Sequence, residues 1–326
     1  MVCAVRGAHG RKIALAGLLA GAEIGVVPRD DAEGAAPAED RRVRPVTVIT
    51  DDGVRLAAEV VGGGSRVAVV FAHGRLVNRH YWQFQRAALA GTATLVLYDQ
   101  RGHGRSARAF RDTCTIERLG DDLAAVIEQT LPCDMPVVLV GHSMGGMSIM
   151  SLAARRPGLF GSRIVGAALL STSSGAPGAL GPRLARVIPI FPDRMRERDP
   201  AMAARSPGVP AGATLGPHAT RDHVRFVNDL VTADSTVGPP HDLLVHGRRA
   251  ARPALRAVRM MIMVGSGDRL TPPVDGRRIA EALPEAVLTV VAGAGHLIGL
   301  ERPDVVNRAL RGFVGDCLVA REAVSV

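Results

Sequence analysis

From Val46 onward the chain alternates between two apolar rhythms. Short, mostly apolar and often β-branched runs recur at Val67–Ala72, Thr94–Tyr98, Pro136–Val140, Val165–Leu170, Met260–Val264 and Val287–Val291. Such runs suit strands buried on both faces, as in a parallel sheet. Val46–Thr50 and Val54–Val61, joined across Asp51-Asp52-Gly53, predict an antiparallel hairpin ahead of them. Between the runs, the helical spacing of apolar positions predicts helices over Trp82–Ala90, Glu117–Leu131, Ser148–Arg156 and Val274–Ala282. Strands alternating with helices in this order imply an α/β fold with a doubly wound, mostly parallel sheet.

Two stretches break the rhythm. Between the sixth and seventh strands, residues 173–257 form a connection far longer than the usual 2–6 residues of such loops. It holds amphipathic pieces at Arg183–Ile190 and His223–Val231 and is expected to be a helical cap or lid over the sheet edge. Residues 46–172 and 258–326 would then form the core. Residues 1–45 read as an apolar arm plus linker. Arg11-Lys12 precedes the apolar run Ile13–Ala22, and Glu23 ends it; the polar stretch Pro28–Pro45 follows. A basic flank before a short apolar run fits an export signal or a membrane anchor as well as a docked cytosolic arm, so membrane association and location stay open.

Composition adds little to this. The chain is 326 residues long with a formal net charge of +9, and all but one of its 40 basic residues are arginine. Those arginines are dispersed, and aromatic residues make up only 3% of the chain. A nucleic-acid surface needs basic tracts interleaved with aromatics, so no nucleic-acid partner is expected. The four cysteines have no C-x-x-C or metal spacing, and they read as small buried thiols.

The chemistry lies in three strand ends. The run Pro136–Val140 leads into Gly141-His142-Ser143-Met144-Gly145-Gly146, a G-x-S-x-G turn between a strand and a helix. That turn pushes a serine hydroxyl above the sheet and needs tiny neighbours, here Gly141 and Gly145. A serine nucleophile needs a base, and the base an orienting acid. Asp268 follows the seventh strand and His296 the eighth, in the chain order Ser, Asp, His that this turn requires. Ser143, Asp268 and His296 are therefore the expected catalytic residues, with no metal and no cofactor. The loop His73-Gly74-Arg75 is expected to supply the second oxyanion donor, so the backbone N–H groups of Arg75 and Met144 form the expected oxyanion hole. His73 and Gly74 would shape that loop, and His142 and Leu297 are expected to line the pocket.

These residues resemble the α/β-hydrolase family, in its capped serine-hydrolase form and close to actinobacterial members. The resemblance is carried by His73-Gly74, Asp99-Gln100-Arg101-Gly102-His103-Gly104-Arg105-Ser106, Gly141–Gly146, Asp268 and His296, and covers Val46 to Val314. The Asp99–Ser106 segment is similar to that family's D-x-R-G-x-G-x-S turn, which shapes the site. The resemblance implies hydrolysis of an ester, thioester, amide or C–C bond. Serine at position 143 separates the chain from branches with an aspartate nucleophile. The expected function is cleavage of a medium-sized apolar carboxylic ester through an acyl-enzyme on Ser143. Acyl transfer, thioester or C–C hydrolysis, or elimination on a biosynthetic intermediate is the alternative within the fold. A non-catalytic ligand-binding module is the alternative outside it.

Overall fold

The computed structural model describes residues 2–5, 43–107, 113–174, 214–231 and 248–324. They contain a nine-stranded sheet: β1 (Val2–Val5), β2 (Val43–Ile49), β3 (Arg55–Val61), β4 (Ala68–Ala72), β5 (Thr94–Tyr98), β6 (Val137–His142), β7 (Ile164–Leu170), β8 (Arg259–Gly265) and β9 (Val287–Val291). The spatial order is β1-β9-β8-β7-β6-β4-β5-β3-β2. From β5 to β9 all neighbours are parallel, while β1 on one side and β3 and β2 on the other run antiparallel. Strand β1 has no counterpart in the expected layout. It pairs Val2 with Val291 and Val5 with Leu288, so the first residues of the expected arm form one edge strand of the sheet. Pro45, expected in the linker, lies within β2, whose only neighbour is β3. An edge strand has N–H groups to spare, so proline is tolerated there.

Strands β4 to β8 are buried on both faces along almost their whole length because helices cover both, whereas β9 is only partly buried. Along β4, Ala68, Val70 and Ala72 face one core, and Val69 and Phe71 the other. The first core is closed by α2 (Ile116–Thr130), α3 (Met144–Arg155), α5 (Arg248–Arg256) and α6 (Pro273–Ala282). The second is closed by α1 (Gln83–Leu89), the short α7 (Ile298–Glu301) and the long α8 (Pro303–Val324), with Val227 of α4 (Arg221–Val231) added. Helix α5 buries Ala251, Ala254 and Leu255 in the first core, so core packing resumes at this helix, ahead of residue 258. The piece Arg183–Ile190 and the run Ile13–Ala22 lie outside the described residues. No helix among the described residues is long and apolar enough to cross a membrane. Cys114 and Cys317 are buried as expected, but Cys133, in the turn after α2, is exposed.

One boundary differs in a way that matters. Helix α3 begins at Met144, directly after Ser143, and not near Ser148. Met-Gly-Gly-Met is a poor helix starter by propensity. Close packing overrides it: a Cβ on Gly145 would sit 2.0 Å from the Ala72 carbonyl oxygen at the end of β4. Only glycine lets the first turn of α3 come that near the neighbouring strand.

Candidate active site

Strands β6, β8 and β9 are parallel, and their C-terminal ends carry Ser143, Asp268 and His296 to one edge of the sheet. Ser143 occupies the left-handed region at φ 53°, a conformation that costs a non-glycine residue of order 1–3 kcal/mol. Its surroundings hold it there. The Ser143 N–H donates to Leu170 O at 2.9 Å, and the Ser143 carbonyl accepts from Gly146 N at 3.0 Å and Thr172 Oγ1 at 2.6 Å.

The three side chains form one continuous hydrogen-bonded chain. Ser143 Oγ–H donates to His296 Nε2 at 3.0 Å, and His296 Nδ1–H donates to Asp268 Oδ2 at 2.9 Å. Asp268 is 3% exposed, and its other oxygen accepts from Leu270 N and Thr271 N, each at 2.9 Å. Thr271 Oγ1 donates to Asp268 Oδ2 at 2.8 Å and lies 3.2 Å from His296 Nδ1. Burial works to raise the Asp268 pKa. The charge and hydrogen bond of His296, helped by Thr271, outweigh it and leave the carboxyl below its ordinary value. A carboxylate can only accept, so it fixes the proton on Nδ1 and leaves the Nε2 lone pair for the serine proton.

The loop after β4 packs beside the serine. A Cβ on Gly74 would lie 2.6 Å from His142 Nδ1 and 3.2 Å from Ser143 Cβ, so this position has room for glycine alone. His73 secures the loop: its Nε2 accepts from Gln100 N at 2.9 Å, and its Nδ1–H donates to Gly74 O at 2.7 Å. Gln100 belongs to the Asp99–Ser106 turn, in which Asp99 accepts from Arg79 N and Arg105 N, both at 2.8 Å. Arg75 follows on this loop, and Met144 N is the first amide of α3, one of the four that an α-helix leaves without an intrahelical acceptor.

His142 and Leu297 are both buried. His142 stacks on Tyr81 at 4.5 Å between ring centroids, and its Nε2–H donates to His296 O at 2.9 Å. Leu297 packs into the second core. Three contributors were not singled out from sequence: Thr271, Thr172 and Glu301. Glu301 accepts from the Gly295 and Leu297 amides on either side of His296. Thr271 stands three residues after Asp268 and Glu301 five after His296, and that proximity is the only signal in the sequence. Among the described residues, no group of three or more His, Cys, Asp or Glu side chains is placed to hold a metal ion.

Fold and site together define a class, and comparison with known proteins gives it a family. Residues 69–309 match the model of the alpha/beta hydrolase family, and the chain belongs to that family. It is 26% identical to the solved structure of a thermophilic esterase from Thermogutta terrifontis, covering 84% of this chain and 99% of that one, with a TM-score of 0.65. It is also similar to 3-oxoadipate enol-lactonase 2 of Acinetobacter baylyi, at 24% identity over 82% of this chain and 95% of the relative. A third relative, from Cupriavidus necator, is the dihydrolipoyllysine-residue acetyltransferase component of an acetoin cleaving system. It is 28% identical over 93% of this chain and 79% of its own length.

Proposed function

We propose that this α/β hydrolase is a serine esterase that cleaves a medium-sized, apolar carboxylic ester. The observation that carries the reading is the hydrogen-bonded chain from Ser143 through His296 to Asp268. In the first half-reaction Ser143 Oγ attacks the ester carbonyl while His296 Nε2 takes its proton. The N–H groups of Met144 and Arg75 receive the oxyanion, and Asp268 stabilises the imidazolium. His296 then gives the proton to the leaving alkoxide, which departs as alcohol. Water, deprotonated by His296, then attacks the acyl carbonyl, and His296 returns that proton to Ser143 Oγ as the acid leaves. The apolar preference is supported by the small cluster that Ile116 and Leu119 of α2 form with Met144 and Met147 of α3, Met144 being the residue after the serine. The insertion between β7 and β8 is read as the cap over this site.

Turnover of p-nitrophenyl butyrate by the wild type and by Ser143→Ala tests the reading. The variant should lose at least ~10^3-fold in kcat, and equal rates would remove Ser143 from the mechanism. A second reading, transfer of the acyl group to an acceptor other than water, is favoured by the likeness to the acetyltransferase component. Product analysis with an added alcohol separates the two: hydrolysis gives mainly free acid, and transfer mainly the new ester.

A further inference from the structure

Glu301 closes the short helix α7, and its buried carboxylate turns back over the loop that carries His296. Oε2 accepts from Gly295 N at 2.9 Å and from Gly216 N at 2.7 Å, while Oε1 accepts from Leu297 N at 3.1 Å. Two of these amides flank His296 in sequence. The third belongs to the insertion between β7 and β8. The same stretch of insertion reaches His296 directly, because the His296 N–H donates to Thr214 O at 2.7 Å. The two backbones interleave without space for side chains: a Cβ on Gly295 would lie 2.3 Å from Gly216 N, and one on Gly216 would lie 2.5 Å from Gly295 N.

We propose that Glu301 is a positioning residue that locks His296 in register and couples it to the insertion, so that the base is aligned only while Thr214–Gly216 is docked. The proposal rests on His296 being the general base. All three partners of Glu301 are N–H donors, and only an ionised carboxylate accepts from all of them without presenting a donor of its own. Glutamine in its place would satisfy two amides at best and turn an N–H toward the third. Aspartate would keep the charge but fall one methylene short. On the opposite side, the His142 Nε2–H holds the His296 carbonyl, so the peptide groups around the base are tied at both ends. Releasing the insertion removes the Thr214 acceptor and one of the three donors to Glu301 together.

The test uses the full chain with p-nitrophenyl butyrate, comparing wild type, Glu301→Gln and Glu301→Asp, together with hydrogen exchange read by mass spectrometry. Misplacing a general base by about an ångström costs up to ~100-fold, so Glu301→Gln should lower kcat by ~10–100-fold. KM should stay within about twofold, because uniform binding is untouched. Peptides covering 214–218 and 292–300 should exchange faster together, while those of β6 stay protected. Glu301→Asp should show the same pattern more weakly, and it carries the test if the glutamine variant does not fold. Wild-type kcat in Glu301→Gln would overturn the proposal. So would faster exchange confined to 292–300, or a loss of kcat matched by faster exchange throughout β6. If the wild type and Ser143→Ala turn over the ester equally, the esterase reading fails. The paired exchange of the two segments then still decides whether Glu301 couples them.

Discussion

His103 and His142 are each 1% exposed, and neither is the proton carrier in the reaction set out above. Burial pushes both pKa values down to about 3, helped by the charge of His73 on the first and of His296 on the second. The folded protein thus keeps both rings neutral through a range in which the unfolded chain takes up protons near pH 6.5. Their contribution to stability is complete above that pH and is lost as pH falls toward 3. Each histidine should lower the unfolding free energy by up to ~1.4 kcal/mol per pH unit below 6.5. Urea unfolding of the wild type and His103→Gln at pH 7, 6 and 5 measures this. The variant should show a shallower decline, and parallel declines would mean that His103 is not its source. Residue identity also marks what was legible. Ser143, Asp268 and His296 could be found because each stands at a strand end in the required order. Thr271 and Glu301 could not, because the Thr271 hydroxyl meets Asp268 and Glu301 meets backbone amides only in the folded chain.

Among the elements, the interior strands were readable to within a residue or two because they are short, mostly apolar runs, buried on both faces in β4 to β8. The start of helix α3 is not legible in the sequence, because its first turn is set by the approach of Gly145 to β4, a tertiary contact with no local signature. The Asp99–Ser106 turn is held by a device that sequence alone does not reveal. Arg101 is wholly buried, with its Nε 2.6 Å from Asp122 Oδ2 and its Nη1 2.9 Å from Asp52 Oδ2, which ties the turn to α2 and to the β2–β3 hairpin. Removing one partner of a buried pair leaves the other uncompensated, at a cost of about 3–5 kcal/mol. Arg101→Ala should therefore lower the unfolding free energy by that amount, read from the denaturant midpoint. A change under about 1 kcal/mol, the range of exposed pairs, would assign the turn's rigidity elsewhere.

For the molecule as a whole, Trp82 is the single tryptophan, fully buried in the second core with its ring 5.0 Å from that of Phe71. That core needs α8 from the C-terminus to close over β4 from the N-terminal half. Trp82 emission should shift to the red on unfolding. On refolding, any turnover of p-nitrophenyl butyrate should return no sooner than the slowest phase of that signal. Activity that returned earlier would mean that the site assembles before the second core. The same geometry has a consequence for the newborn chain. Ser143 and His296 are separated by 153 positions, with the whole insertion between them. While the C-terminal part is still inside the ribosome, an emerging chain carries Ser143 but not His296, the base of the proposed mechanism. On the proposed mechanism, the chain should therefore cleave no ester during its own synthesis, and activity should begin only once the segment after β9 brings His296 to Ser143.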